Sequence, residues 1–271
     1  YIPSTIFNNK TFDYLNCTNC DVIYINPYPN DEDYLEMYPS EYQGEILVNE
    51  TSKYDKIFHQ LKSYNSDIES ILDYGCGNAE LLVNSKKFFS KVVGSEYNPV
   101  FVKELKLQIP EFTFFDLQEF DNTTDKYDVI VMNNVLEHLT NPNEVLQNLK
   151  NRLTDNGFLL CLGPIENNFT IALMFRKKIY QLRNLLSKKA NHFPYHITFT
   201  NLKNQKEIFT ANNFDIVDCK TEEDAWPFPE KIDFSSIKNF FYSIIASTSI
   251  KLSKLINKNA GNTFIIIARK K

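Results

Sequence analysis

Glycine is scarce in this chain, with seven residues in 271, yet two of them, Gly75 and Gly77, stand only two positions apart. Neither an internal repeat nor a low-complexity tract is present, which excludes solenoid and flexible-linker architectures. No run of about 18 apolar residues occurs, so no membrane-spanning helix is expected. Positive charge is not in excess: the net charge of −5 argues against a general nucleic-acid binder. The five cysteines (Cys17, Cys20, Cys76, Cys161, Cys219) are an odd number, and three lie in or beside strand-like runs. That usage fits a reducing cytoplasm better than a disulfide framework. The chain begins at Tyr1 rather than Met, which leaves a preceding segment, and any leader in it, open.

What is present is apolar residue at 43%, enough for one large α/β domain with additions. Residues 1–50 are rich in Tyr, Pro, Asn and acids, with short strand-like pieces such as Asp21–Ile25, and read as a small N-terminal cap. Tyr54, Ile57, Phe58, Leu61 and Tyr64 follow helical spacing. From there the pattern alternates: strand 69–74, helix 78–89, strand 91–96, helix 99–108, strands 112–116 and 127–133, helix 142–153, strand 157–163. Such a beat predicts a parallel sheet with helices on both faces. Beyond Pro164 it is interrupted by amphipathic segments 168–190 and 234–258. Helix 201–212, strand 214–220 and a last strand, Thr263–Arg269, resume it.

The central motif is Ile71-Leu72-Asp73-Tyr74-Gly75-Cys76-Gly77-Asn78-Ala79-Glu80, an apolar strand ending in a carboxylate and a two-glycine turn. Side-chain-free positions let the backbone approach a ligand, and a helix start offers unpaired N–H groups. A dinucleotide fingerprint places a small residue where Glu80 stands, and Asp73 would repel a pyrophosphate. The turn favours a ligand with a cationic end; a nicotinamide-dependent dehydrogenase is disfavoured. Ligands of open parallel sheets bind beyond the carboxyl ends of the strands. Asp73, Glu96, Asp116 and the pair Asn133-Asn134 end four successive strands, so all four project to one rim. Glu96 lies nineteen positions after Gly77, where an acid accepts from two ribose hydroxyls, with Tyr97 next to it. Asp116 with Leu117 suits an adenine edge, or equally a helix N-cap.

Ile71–Gly77, Glu96, Phe115-Asp116-Leu117 and Tyr127-Asp128-Val129-Ile130-Val131-Met132-Asn133-Asn134-Val135-Leu136-Glu137-His138-Leu139 together resemble the class I S-adenosylmethionine-dependent methyltransferases, in the branch acting on small molecules and sugars. The resemblance implies a doubly wound, Rossmann-like, mostly parallel seven-stranded α/β sheet with a final antiparallel strand. It also implies S-adenosylmethionine as cofactor. The methionine part then falls to Asp73, Gly75, Cys76 and Gly77, the ribose to Glu96 and Tyr97, adenine to Asp116 and Leu117, and the methyl-facing strand end to Asn133 and Asn134.

His138 reads as a general base or substrate-orienting group, or as a residue that only organises the turn into helix 142–153. In His192-Phe193-Pro194-Tyr195-His196, Pro194 argues against a helix and so against an i, i+4 metal pair; no residue is assigned as a metal ligand. The resemblance places a substrate-bordering histidine at His196. Cys17 and Cys20 form half of a zinc knuckle, and structural zinc is expected only if further ligands precede Tyr1, as in related caps that begin with two cysteine pairs. Residues 171–206 carry Arg176, Lys177, Lys178, Arg183, Lys188, Lys189, Lys203 and Lys206 and no acid. This segment reads as a lid for an anionic small-molecule substrate, as a peripheral membrane contact through 171–190, or as a solvated amphipathic helix.

The expected organisation is a cap at 1–50, a zinc-ribbon-like remnant only if further ligands precede Tyr1, followed by a methyltransferase domain at 51–271 with lids at 168–195 and 222–260. The expected activity is methyl transfer to a hydroxyl of a sugar or nucleotide-linked sugar in surface-polysaccharide biosynthesis. The alternatives are N-methylation of a phosphorylated amine, or an inactive cofactor-binding partner subunit.

Overall fold

Three central strands, Ser70–Tyr74 (β4), Lys91–Glu96 (β5) and Tyr127–Asn133 (β7), are buried along nearly their whole length, which is why their sequences run apolar rather than alternate. The computed structural model describes all residues except 1, 3, 39–44, 47–50, 186–193, 226–230 and 257–259. With Thr5–Phe7 (β1), Lys10–Asn16 (β2) and Ile23–Asn26 (β3) preceding them, the later strands are Thr113–Asp116 (β6), Leu153–Pro164 (β8), Thr198–Phe199 (β9), Phe214–Glu222 (β10) and Thr263–Lys270 (β11).

A seven-stranded sheet runs β10-β11-β8-β7-β4-β5-β6. Its pairs are parallel except those of β11, which is antiparallel to both β10 and β8. The doubly wound sheet with an inserted antiparallel strand is therefore the fold. Helices Asp55–Tyr64 (α2), Glu80–Ser85 (α3) and Pro99–Gln108 (α4) follow Asp31–Met37 (α1) in the chain. Phe58, Leu61, Leu82, Phe101 and Leu105 from these three helices pack on one face of the sheet. The other face is covered from Leu117–Asp121 (α5), Pro142–Asn151 (α6) and Leu202–Ala211 (α8), through Phe120, Leu146, Leu149 and Phe209.

Local signals set several boundaries. Asn98 caps α4 by accepting from the N–H groups of Val100 and Phe101, with Pro99 in the first turn. Helix 78–89 of the sequence pattern is shorter in the structure, because Ala79 is left-handed (φ 63°) and α3 begins only at Glu80. Helix α5 and a single 3-10 turn at Leu136–His138 are too short to show periodicity.

The N-terminal strands form a second sheet, β1-β2-β3-β9, whose fourth strand is the distant Thr198–Phe199. The Ile25 N–H donates to the Ile197 carbonyl and Ile197 N–H to that of Glu137, so the N-terminal sheet, residue 197 and the Leu136–His138 turn form one continuous frame. Helices Ile171–Leu185 (α7) and Ile237–Ile256 (α9) supply the two insertions. Trp226–Pro229 lies outside the described residues. No described helix is long and apolar enough to cross a membrane.

At Gly94 the cofactor-side layers meet without a side chain between them: a Cβ there would sit 2.7 Å from Leu82 Cδ1, 2.8 Å from Phe114 Cδ1 and 2.9 Å from Cys76 Sγ. Gly94→Ala is expected to destabilise the fold by about 1–3 kcal/mol through overpacking. Urea unfolding with an unchanged m-value checks this; equal midpoints for both proteins would refute it.

Candidate active site

Strand order reverses at β4, with β5 and β6 to one side and β7 and β8 to the other, and a cleft of about 1130 Å³ opens at that switch point. Along β4, Asp73 is 2% exposed, and its Oδ1 has no hydrogen-bond partner in the protein. Burial first, and the charge of Glu96 second, push its carboxyl up to about 8.

After the strand the chain turns at Gly75 (φ 79°), where a Cβ would stand 2.7 Å from Val135 Cγ2, and again at Gly77 (φ 48°). Only glycine meets both requirements at position 75. The N–H groups of Gly75 and Cys76 donate to the Ser95 carbonyl at 2.8 and 3.0 Å, tying the turn to β5. The buried Glu96 carboxylate accepts from Gly77 N–H at 2.9 Å and Tyr97 N–H at 2.8 Å. Burial raises its pKa against the pull of those N–H groups.

Tyr97 lines the cleft beside Tyr34, ring centroids 6.3 Å apart. Leu117 lines it as well. Asp116 is half-buried and heads α5, its Oδ1 accepting from Glu119 N–H at 2.8 Å in a capping box, so the N-cap reading describes one of its two oxygens. Asn133 donates from Nδ2 to Tyr54 Oη at 3.3 Å, and Asn134 takes a left-handed conformation (φ 55°) with its N–H on the Leu162 carbonyl.

The far end of the cleft is built by the Leu136–His138 turn, the end of β8 and residues 195–196. His138 Nδ1 lies 2.7 Å from the Tyr195 carbonyl and 2.7 Å from Tyr38 Oη. A carbonyl only accepts, so Nδ1 carries the proton and Nε2 keeps a lone pair. Burial, reinforced by His196, lowers the pKa of His138 to about 3, which keeps the ring neutral. His196 Nδ1 lies 2.5 Å from Glu166 Oε2, and Arg176 donates to Glu166 Oε1 at 2.9 Å. Burial works against a charge on His196, but Glu166 outweighs it and raises the pKa. Glu166 is itself held down at about 2: burial opposes this, and His196 and Arg176 prevail. Glu137 is buried with Oε1 unpartnered, and desolvation lifts it to about 7.

The geometry thus joins a turn and acid pair at one end of the cleft to a histidine–carboxylate group at the other. A family model described as a methyltransferase domain matches residues 47–218. The chain belongs to the class I S-adenosylmethionine-dependent methyltransferases. Comparison with curated proteins found no match. Among solved structures, a chain of the complex between the Haloferax volcanii Trm112 methyltransferase activator and a methyltransferase is 12% identical. It aligns over 89% of this chain and 97% of that one, with a TM-score of 0.56. The plantazolicin methyltransferase BpumL, solved with a triazolic desmethylPZN analogue and SAH, is 14% identical over 89% of each chain, with a TM-score of 0.51. At these identities the likeness is one of fold.

S-adenosylmethionine fits this methyltransferase's cleft on the chemistry of its donor set. An unpartnered buried carboxylate suits a cationic amino acid, and a second carboxylate, anchored by backbone N–H groups, still has lone pairs for hydroxyls. His138 and His196 lie together, ring centroids 4.9 Å apart, whereas His192 falls outside the described residues. Arg176, read from sequence as part of a basic lid, is buried in its ion pair with Glu166. Lys53, the other cation lining the cleft among the described residues, pairs with Glu80 at 2.6 Å. Sequence reasoning missed Glu166, Tyr38 and Tyr54. Only the position of Glu166, two residues past the end of a core strand, carried a signal.

Asp73 couples this site to stability. Its ordinary pKa of 3.8 rises to about 8 in the fold, so stability present below pH 4 is lost as pH climbs through that window. Asp73→Asn removes the loss. Its stability advantage over the wild type is expected to widen between pH 5 and pH 8, by up to about 1.4 kcal/mol per unit. Urea melts across that range measure it, and a constant difference would contradict the raised pKa.

Proposed function

We propose that this methyltransferase methylates a hydroxyl of a sugar or nucleotide-linked sugar, as in surface-polysaccharide biosynthesis. The observation that carries the reading is the far end of the cleft, where Tyr38 and Tyr195 stand beside His138, His196 and Glu137. Aromatic faces pack on the C–H surface of a sugar ring while imidazoles and carboxylates hydrogen-bond its hydroxyls.

When bound, S-adenosylmethionine supplies the electrophilic methyl group. Asp73 and the Gly75–Gly77 turn hold its amino-acid part, Glu96 with Tyr97 the ribose, Leu117 with Asp116 the adenine, and Asn133 and Asn134 border the methyl. His138, fixed by the Tyr195 carbonyl, and His196, fixed by Glu166, have Nδ1 engaged and so leave Nε2 for chemistry at the acceptor end of the cleft. Rigid placement of the acceptor oxygen is the main demand of the reaction, and both rings are held by hydrogen bonds, His138 to the half-buried Tyr195 and His196 to the buried Glu166.

Calorimetry with S-adenosylhomocysteine tests the cofactor assignment. Glu96→Ala is expected to weaken binding by about 1.5–3 kcal/mol, the range of hydrogen bonds to a charged group, and unchanged affinity would remove the ribose role. Release of S-adenosylhomocysteine on adding sugars or nucleotide-linked sugars tests the acceptor, and turnover confined to amines would overturn the hydroxyl reading.

The acceptor end also adjoins a surface suited to an anionic membrane. Helices α7 and α9 contain no acid. They expose Phe175, Leu182, Ile237, Phe241 and Leu255 together with Lys177, Lys178, Lys238 and Lys251. Apolar side chains among lysines match the headgroup region of an acidic bilayer. The protein is expected to co-sediment with phosphatidylglycerol vesicles and to be released by salt. Equal binding to phosphatidylcholine, or none to either, would refute this.

A further inference from the structure

The group formed by Glu137, His138 and His196 is more ordered than a proton-accepting pocket requires. Each offers one ligand atom, all within 4.8 Å of one another, and among the described residues it is the one such group of three or more His, Cys, Asp or Glu. We infer that Glu137, His138 and His196 bind a divalent transition-metal ion at the acceptor end of the cleft.

Four observations carry this. His138 presents Nε2, because Nδ1 donates to the Tyr195 carbonyl, and that Nε2 lies 3.7 Å from Glu137 Oε1. His196 likewise has Nδ1 engaged by Glu166, leaving Nε2 as its ligand atom. Glu166 is in turn fixed by Arg176 at 2.9 Å, so a carboxylate orients the imidazole as it does behind metal-bound histidines. Finally, Glu137 is 6% exposed and its Oε1 has no hydrogen-bond partner among the described residues, a buried carboxylate oxygen open to a ligand.

Ligands about 2.0–2.2 Å from a metal stand roughly 3–3.5 Å apart, so closing the group asks only small side-chain adjustments. Two imidazoles and one carboxylate suit manganese, iron, cobalt or zinc rather than an all-oxygen calcium site. Three protein ligands leave coordination positions open, as in sites that act on a substrate. The role rests on the proposed reaction: the ion holds the acceptor oxygen and lowers its pKa, and the hydroxyl proton passes to water in the cleft.

The test is titration of the chelator-treated, dialysed 271-residue chain with Mn²⁺, read by the electron paramagnetic resonance of free ion, and with Co²⁺, read by visible absorption. One ion per chain is expected. Glu137→Gln and His196→Gln should each lower affinity at least tenfold. Glu166→Gln should lower it by roughly 10- to 100-fold through the lost orientation of His196. S-adenosylhomocysteine calorimetry on the same samples shows that each variant is folded. No stoichiometric binding by wild type, or binding that survives in both Glu137→Gln and His196→Gln, overturns the site. A chain that binds Mn²⁺ but not S-adenosylhomocysteine would keep the metal site and remove the cofactor assignment instead.

Discussion

A carboxylate without a partner, held at the end of the central strand of a buried parallel sheet, is the constraint around which this methyltransferase is arranged. Asp73 stands on β4 between the two halves of the sheet, where no donor among the described residues reaches Oδ1. Such a group is costly to ionise and persists only where something else benefits from it. Around it the chain spends two of its seven glycines and a left-handed Ala79 to bend the backbone away, and it sets a second buried acid, Glu96, under the turn. The strand order that puts β5 and β7 on either side of β4 makes this the place where a crevice must open.

The opposite end of the cleft follows a different logic, in which one side chain answers the next. Arg176 answers Glu166, Glu166 answers His196, and the Tyr195 carbonyl and Tyr38 answer His138. The backbone frame is equally tied: Ile197 N–H reaches the Glu137 carbonyl and Ile25 N–H reaches that of Ile197. The N-terminal sheet is thereby a structural wall of the site, through β9 and residue 197. Glu137 is the exception, and its unpartnered oxygen makes the two ends alike: each holds one buried carboxylate that the protein alone does not satisfy.

Much of the scaffold was legible from pattern alone. Strands β4, β5 and β7 read clearly because burial on both faces demands unbroken apolar runs, and Pro99 and Pro142 mark helix starts by simple backbone sterics. The helix after the glycine turn was read too long, since periodicity cannot register the left-handed residue that delays it. Arg176 read as part of a basic segment because residues 171–206 carry cations and no acid, although one helical step from the exposed Lys177 turns it inward onto Glu166. Tyr38, Glu166 and His138 lie far apart in the chain with nothing in their local sequence to pair them.

What the sequence by itself determined is the strand–turn–strand chemistry of the cofactor end. Asp73, Gly75, Gly77 and Glu96 are separated by one crossover, and a right-handed crossover has essentially one way to fold. What only the tertiary structure decided is the acceptor end. There Tyr38, Glu137, His138, Glu166, Arg176 and His196 come from five different places in the fold or its turns, and hydrogen bonds between those places fix the histidines and Glu166. Local pattern encodes neighbours along a helix or strand; which distant carboxylate finds which histidine depends on how whole layers pack.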